Sequence, residues 1–371
     1  MKFSIKKKII EPIIDFIYSY IDTADTSPSG KSIGIEINSD SLKLIVNNTS
    51  FGVKKELEID ETNIMLERNG RTIINASILK NIIKKFDRII TFELVGETVV
   101  IYEGSTKFEI ATIDDQRFFM IDFNEANNRF EAESKKLEKI INDVSVSTAT
   151  NTDKINSTIY KCVNIKTEND NSIRFVATDS YRMSTEIMKT NKKIDINVVI
   201  EAKSLKKLIT KETPKKIFVF FNDSKLGISY KETIIQLNLT NLNYLDTSKL
   251  FDFEIKNVIY IDKNELLKII NKAVFMVNEK ARRLEFKFSQ EGIKLNFEIP
   301  EIGSSQAYTN NYLLEGPDFE MDIDFNFLKD ALSVLENDKI KINISARYDR
   351  LLFISEKDPE NKQLITPLRR Y

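Results

Sequence analysis

One helical signature occurs six times along this chain, in three pairs, and the near-equal spacing of the copies constrains the fold more than any single residue does. The first member of each pair follows an aromatic residue and a short alternating stretch. Phe3 leads into Ile9-Ile10-Glu11-Pro12-Ile13-Ile14, Phe130 into Leu137-Glu138-Lys139-Ile140-Ile141-Asn142, and Tyr260 into Leu266-Leu267-Lys268-Ile269-Ile270-Asn271. The second member reads Ile78-Leu79-Lys80-Asn81-Ile82-Ile83-Lys84-Lys85, then Ser204-Leu205-Lys206-Lys207-Leu208-Ile209, then Phe327-Leu328-Lys329-Asp330-Ala331-Leu332. Phe3 to Phe130 is 127 positions and Phe130 to Tyr260 is 130, while Leu79 to Leu205 is 126 and Leu205 to Leu328 is 123. Four such offsets predict three tandem copies of one internally duplicated domain. Polar stretches at residues 122–128 and 247–257 put the boundaries at 1–126, 127–252 and 253–371.

A chain of 371 residues, 42% hydrophobic and 30% charged, has enough apolar side chain to bury and no compositional tendency to disorder. It carries one cysteine, Cys162, and no histidine, which excludes disulfide scaffolds, zinc sites of the Cys/His kind and every triad that needs an imidazole. Cys162 reads as a small buried hydrophobe, and a reducing, cytoplasmic setting is expected. Lys2, Lys6, Lys7, Lys8, Ile9 and Ile10 imitate the start of a signal peptide, but Glu11 and Asp15 interrupt the apolar stretch. No other stretch approaches the length of a membrane span.

The formal net charge is −1, but the charge is unevenly placed. Segments 2–15, 78–88, 135–143, 201–216 and 263–283 carry +2, +3, +1, +4 and +4, so the remainder of the chain is acidic. At about 100° per residue, Leu205, Leu208 and Ile209 share one helical face, with Lys203, Lys207 and Lys211 opposite. Lys80, Lys84 and Lys85 lie opposite Leu79, Ile82 and Ile83, and Lys268 and Lys272 opposite Leu266, Ile269 and Ile270. Lysines at equivalent helices, without interleaved aromatics, suit sequence-independent contact with a phosphate backbone. The third copy is weaker, because Lys329 is followed by Asp330 and Glu336.

Between the helices, alternation predicts strands at 32–38, 42–47, 98–102, 107–112, 217–222, 233–239, 284–289, 293–298, 339–345 and 351–355, an α+β fold with antiparallel sheets. Gly30-Lys31-Ser32 lacks the leading glycine of a P-loop, since position 25 is Asp25, and it precedes a strand instead of a helix. No two glycines are spaced as a dinucleotide fingerprint requires. The pair Asp322 and Asp324 reads as strand and turn residues. Residue types alone leave open a histidine-free, carboxylate–metal enzyme and a repeat-built scaffold.

The segment Arg174-Phe175-Val176-Ala177-Thr178-Asp179-Ser180-Tyr181-Arg182-Met183-Ser184, the ending Leu364-Ile365-Thr366-Pro367-Leu368-Arg369-Arg370-Tyr371 and the opening Met1-Lys2-Phe3 together resemble the bacterial DNA sliding-clamp family, the beta subunits of DNA polymerase III. The resemblance runs through all three domains in order. It implies a non-enzymatic homodimer closed head to tail into a ring around duplex DNA, twelve helices lining the hole, with no cofactor and no metal. Implied partners are the replicative polymerase catalytic subunit, the clamp-loader ATPase, and repair and translesion proteins carrying clamp-binding peptides. The implied location is the nucleoid.

It further implies a peptide pocket formed by Thr178, Tyr181, Arg182 and Met183, by Leu364, Pro367, Leu368 and Arg369, and by Leu245, Lys249 and Leu250. DNA-facing positions are expected at Lys80, Lys84, Lys85, Lys136, Lys139, Lys203, Lys207, Lys211, Lys268 and Lys272. Ring-interface positions are expected at Phe108 and Ile110 on one side and Phe275 and Met276 on the other. The chain departs from the family pattern at Leu245, commonly proline, and Lys249, commonly arginine. Residues 23–31 also lack the family's usual arginine and proline pattern near DNA, leaving Lys31.

Overall fold

The computed structural model describes residues 1–60, 62–114, 118–150, 157–276, 282–336 and 339–370; Tyr371 lies outside them. Every α-helix among the described residues directly continues a strand. Lys2–Lys6 runs into α1 (Lys7–Tyr18), Gly70–Asn75 into α2 (Ala76–Ile83) and Asn128–Glu133 into α3 (Ser134–Ser145). Asn197–Glu201 runs into α4 (Ala202–Leu205), Ile255–Asp262 into α5 (Lys263–Ala273) and Phe319–Asp324 into α6 (Phe325–Val334). These are the six copies of the sequence signature. Where the last strand residue has a short polar side chain it caps the helix: Asn75 accepts from the Ile78 amide, Asp262 from those of Asn264 and Glu265, and Asp324 from that of Asn326.

The contacts divide the chain into two compact units, and the division passes through the middle repeat. The first unit is Met1–Ser134 with Lys207–Leu239. It holds a five-stranded antiparallel sheet, Ile64–Arg68, Lys2–Lys6, Ile89–Val95, Thr98–Glu103 and Thr106–Ala111 in spatial order. Phe3 and Phe92 stack at 4.9 Å within it. An eight-stranded sheet follows the order Asn128–Glu133, Lys216–Phe221, Lys225–Tyr230, Thr233–Asn238, Phe51–Glu58, Ser41–Asn47, Ser32–Ile37 and Gly70–Asn75. Its seam is Thr233–Asn238 against Phe51–Glu58, with Ile235 opposite Val53. Ile10, Ile14 and Ile17 of α1 and Leu79, Ile82 and Ile83 of α2 supply the buried helical stripes. Pro12 sits inside α1 on its exposed side, where the missing amide leaves the Lys8 carbonyl to solvent.

The second unit is Lys135–Lys206 with Thr240–Tyr371. Its nine-stranded sheet runs Asn197–Glu201, Cys162–Asn169, Ser172–Thr178, Arg182–Lys189, Lys362–Ile365, Leu351–Ser355, Lys339–Ser345, Ile255–Asp262, Tyr312–Glu315. Here the seam pairs Arg182 with Ile365 and Met183 with Leu364. A four-stranded sheet, Gly303–Thr309, Gly292–Ile299, Arg283–Ser289 and Phe319–Asp324, completes the unit. Its core joins Leu266, Ile269 and Ile270 to Leu328, Ala331 and Leu332. The middle repeat thus lends strands to both units, so its neighbours are not separated by bare linkers.

The lysine-bearing helix expected over 203–211 is a correction. α4 spans only Ala202–Leu205. The Thr210 amide donates to Thr213 Oγ1 at 2.9 Å instead of to a carbonyl one turn back, and the Thr210 hydroxyl is tied to Tyr230 Oη at 3.1 Å. Local side-chain acceptors of this kind compete with helix propagation.

Candidate functional site

Within the second unit, the turn between strands Ser172–Thr178 and Arg182–Lys189 is fixed by its own side chains. The Thr178 hydroxyl donates to the Arg182 carbonyl at 2.7 Å and receives the Ser180 amide at 3.1 Å. Asp179 Oδ1 accepts the amides of Tyr181 and Arg182 at 2.9 and 3.0 Å. Ser180 takes the left-handed conformation at φ 78°, one a serine tolerates when its backbone is bonded locally. The consequence is that Tyr181 stands out, 55% exposed.

Arg182 is buried and braced on both sides. Its Nε donates to Asp179 Oδ2 at 2.9 Å, its Nη1 to Asp330 Oδ2 at 2.5 Å, and its guanidinium carbon lies 4.5 Å over the Phe327 ring. Phe327 in turn stacks beside Tyr181, centroids 6.4 Å apart. Burial raises the Asp179 carboxyl from its ordinary value, and the Arg182 charge opposes that rise. Arg182, expected as a pocket residue, braces the Tyr181–Phe327 wall from within the fold.

The carboxyl-terminal strand Lys362–Ile365 delivers the opposite wall. Thr366 donates to the Tyr181 carbonyl through both its amide, at 2.9 Å, and its hydroxyl, at 2.7 Å. The Leu368 amide reaches the Asp322 carbonyl at 2.7 Å, a single antiparallel bridge to strand Phe319–Asp324. Between these walls lies a groove of about 1040 Å³ whose apolar lining includes Tyr181, Met321, Phe327, Tyr348, Pro367 and Leu368. Its rim is charged: Arg283, Glu320, Asp322, Asp349, Arg350, Arg369 and Arg370.

Of the eleven expected pocket residues, Tyr181, Pro367, Leu368 and Arg369 line this groove. Thr178, Arg182, Met183 and Leu364 are buried beneath it; Met183 and Leu364 form a small core with Val176 and Leu352, against which Tyr244, Phe251 and Phe253 pack. Leu245, Lys249 and Leu250 are exposed and do not line it. Leu250 approaches only through its carbonyl, which accepts from Arg350 Nη1 at 3.3 Å. Sequence reasoning missed Phe327, Tyr348, Met321 and Thr366 as lining, and with them the charged Arg283, Glu320, Asp322, Asp349, Arg350 and Arg370. Only Phe327 carried a signal, as an aromatic just ahead of the apolar stripe of its helix.

The expected basic positions fall into three groups. Lys84, Lys85, Lys136, Lys211 and Lys272 are exposed and make no ion pair among the described residues. Lys80 pairs with Asp15 at 3.0 Å and lies 4.2 Å over Tyr18, Lys268 pairs with Glu265 at 3.2 Å, and Lys203 is exposed but engaged. Lys139 and Lys207 are corrections. Lys207 folds back, Nζ 3.4 Å from the Tyr20 carbonyl and 4.9 Å over the Phe51 ring. Lys139 meets Asp143 at 2.6 Å, Asp358 at 2.8 Å and Glu186 at 3.6 Å. Burial would lower its ammonium, and the Asp143 and Asp358 carboxylates overcome this and hold it raised.

At the expected interface positions, Thr106–Ala111 and Gly303–Thr309 are edge strands of their sheets. Ile110 is a correction, since it is only 7% exposed and belongs to the core, and Phe108 turns inward onto Phe86 at 5.6 Å. Phe275 and Met276 are exposed, as are Ile302 and Tyr308. Among the described residues no cluster of acids or cysteine has metal-ligand geometry, and no helix is long and apolar enough to cross a membrane.

Family models match along nearly the entire chain: the DNA polymerase III beta subunit N-terminal domain over residues 1–122, the central domain over 131–246 and the C-terminal domain over 248–369. The beta sliding clamp of Mycoplasmopsis pulmonis is 25% identical over 375 residues, spanning 100% of both chains, and that of Bacillus subtilis is 24% identical over 385 residues. The solved Bacillus subtilis sliding clamp superposes with a TM-score of 0.90 at 21% identity, covering both chains completely. A Pseudomonas aeruginosa sliding clamp, solved bound to griselimycin, superposes at 0.85 with 15% identity and the same coverage. The repeat, the strand-to-helix units and these matches agree, and the chain belongs to the DNA polymerase III beta subunit family of bacterial sliding clamps.

Proposed function

We propose that two copies of this chain close head to tail around duplex DNA and that the groove between Tyr181 and Leu368 tethers client proteins by a short, largely apolar peptide. Family membership makes the chain a processivity factor and not an enzyme. The observation that carries the peptide reading is the groove itself: exposed Tyr181, with Phe327, Pro367 and Leu368, offers apolar surface that is already assembled, inside a charged rim. Preassembled pockets bind extended peptides well because little ordering remains to be done. The clients proposed are the replicative polymerase catalytic subunit, the clamp-loader ATPase, and repair and translesion proteins, acting at the nucleoid.

Exposed lysines on and just beyond the repeat helices support loose contact with phosphates, which resists salt poorly and permits sliding. Lys84, Lys85, Lys136, Lys211 and Lys272 are the positions best suited to it. The free edges Thr106–Ala111 and Gly303–Thr309 support ring closure by strand pairing between copies, with Phe275 and Met276 adding apolar contact. Tyr181→Ala tests the groove. Stimulation of the cognate polymerase on primed circular DNA should be lost while the dimer persists; full stimulation would remove the groove from the account.

A further inference from the structure

The last residues of the chain form one wall of the groove, yet beyond Ile365 they belong to no strand. A terminal segment of this kind is ordinarily disordered unless something ties it down. Here the Thr366 and Leu368 bonds hold its first residues, and a charged network centred on Asp322, a carboxylate only 2% exposed, holds the rest. Arg283 Nη1 donates to Asp322 Oδ2 at 2.5 Å, and Arg370 Nε lies 3.0 Å from Asp322 Oδ1. Arg283 also reaches forward, its Nη2 donating to the Arg369 carbonyl at 3.1 Å, while Arg370 Nη1 donates to Glu320 Oε2 at 2.8 Å. Guanidinium forks suit such bridging because each presents several fixed donors.

We propose that Arg370, held by Glu320 and Asp322, is a positioning residue that fixes the carboxyl-terminal wall of the groove before any ligand arrives. The proposal rests on the reading of the groove as the peptide site. The network does not grip the ligand; it removes the need to order Thr366–Arg370 during binding. Without it the wall is sampled among other conformations, and apparent affinity falls by the fraction of time the wall is formed.

The test uses the full-length dimer and griselimycin as probe, with calorimetric titration of wild type, Tyr181→Ala, Arg370→Ala, Arg370→Lys, Glu320→Gln and the Arg370→Ala/Glu320→Gln double variant. Wild type should bind and Tyr181→Ala should not; failure of either would remove the groove reading itself. Given that, Arg370→Ala should weaken binding about tenfold with Arg370→Lys intermediate, and Glu320→Gln should weaken it in the same direction. The double variant should lose no more than Arg370→Ala alone, since both break one tie. Unchanged affinity in Arg370→Ala would overturn the proposal. So would tighter binding in Glu320→Gln, which would mean that Arg370, once released, touches the ligand directly.

Discussion

Glu186 offers a sharp test of how the second unit is held together. It lies in strand Arg182–Lys189, 4% exposed, with Oε2 lacking any hydrogen-bond partner among the described residues. Around it stand Lys139 and Asp143 from α3, Asp358 from the segment before the last strand, and Glu336 just past α6, 4.0 Å from Lys139. Lys263 at the start of α5 also feels Glu336 and Asp143. Four carboxylates thus face two ammonium groups. Burial, and then the Asp143 charge, push Glu186 up from 4.5 to about 8. For an acid raised in this way the folded state holds the proton and the unfolded state has released it between those two values. Stability therefore falls as pH climbs from about 4.5 to about 8 and levels off above. At about 1.36 kcal/mol per pH unit such a window is worth on the order of a few kcal/mol, shared with Asp143, whose carboxyl burial also raises.

Glu186→Gln removes that titration while keeping the shape. The variant should match wild type near pH 5 and be more stable by on the order of a few kcal/mol at pH 9. Hydrogen exchange of the amides of α3 and Arg182–Lys189, followed from pH 5 to 9 and corrected for intrinsic rates, reads this without requiring the chain to unfold in one step. A wild-type-minus-variant difference that stays constant with pH would refute the reasoning.

Arg182→Ala leaves Asp179 buried and unpaired, so it should cost about 3–5 kcal/mol in urea unfolding, and Asp179→Asn should recover part of that loss. Reversing charge together at Lys84, Lys85, Lys136, Lys211 and Lys272 should weaken loading onto DNA with little change in melting temperature, measured as the fraction loaded against salt. Lys139→Glu should do the opposite, lowering the melting temperature because it sets a fifth carboxylate among four. Phe275→Asp with Met276→Asp should shift sedimentation from dimer toward monomer while circular dichroism stays unchanged.

The repeat was legible because equal spacing survives any drift in individual residues, and the six strand-to-helix units followed from it. The wall residues Tyr181, Pro367 and Leu368 were legible only through the likeness of segments 174–184 and 364–371 to the sliding-clamp family, since composition and periodicity read them as turn and surface residues. Three things were not. Helix phase alone could not foresee that α4 stops at Leu205, because Thr213 captures the Thr210 amide from beyond the apolar pattern. It could not distinguish a solvated lysine from Lys139, whose partner Asp358 lies 219 residues away. Nor could it show that the middle repeat is shared by two sheets, since strand pairing across repeats leaves no local periodicity.

The central claim is topological: the chain stays on DNA because it surrounds it. After loading onto a plasmid nicked once, residence should last many minutes and survive salt that strips simple electrostatic binders. Linearising the same plasmid with the protein in place should release it within the time needed to diffuse to an end. Equal retention on circular and linear DNA, or equal loss from both on raising salt, would contradict the account.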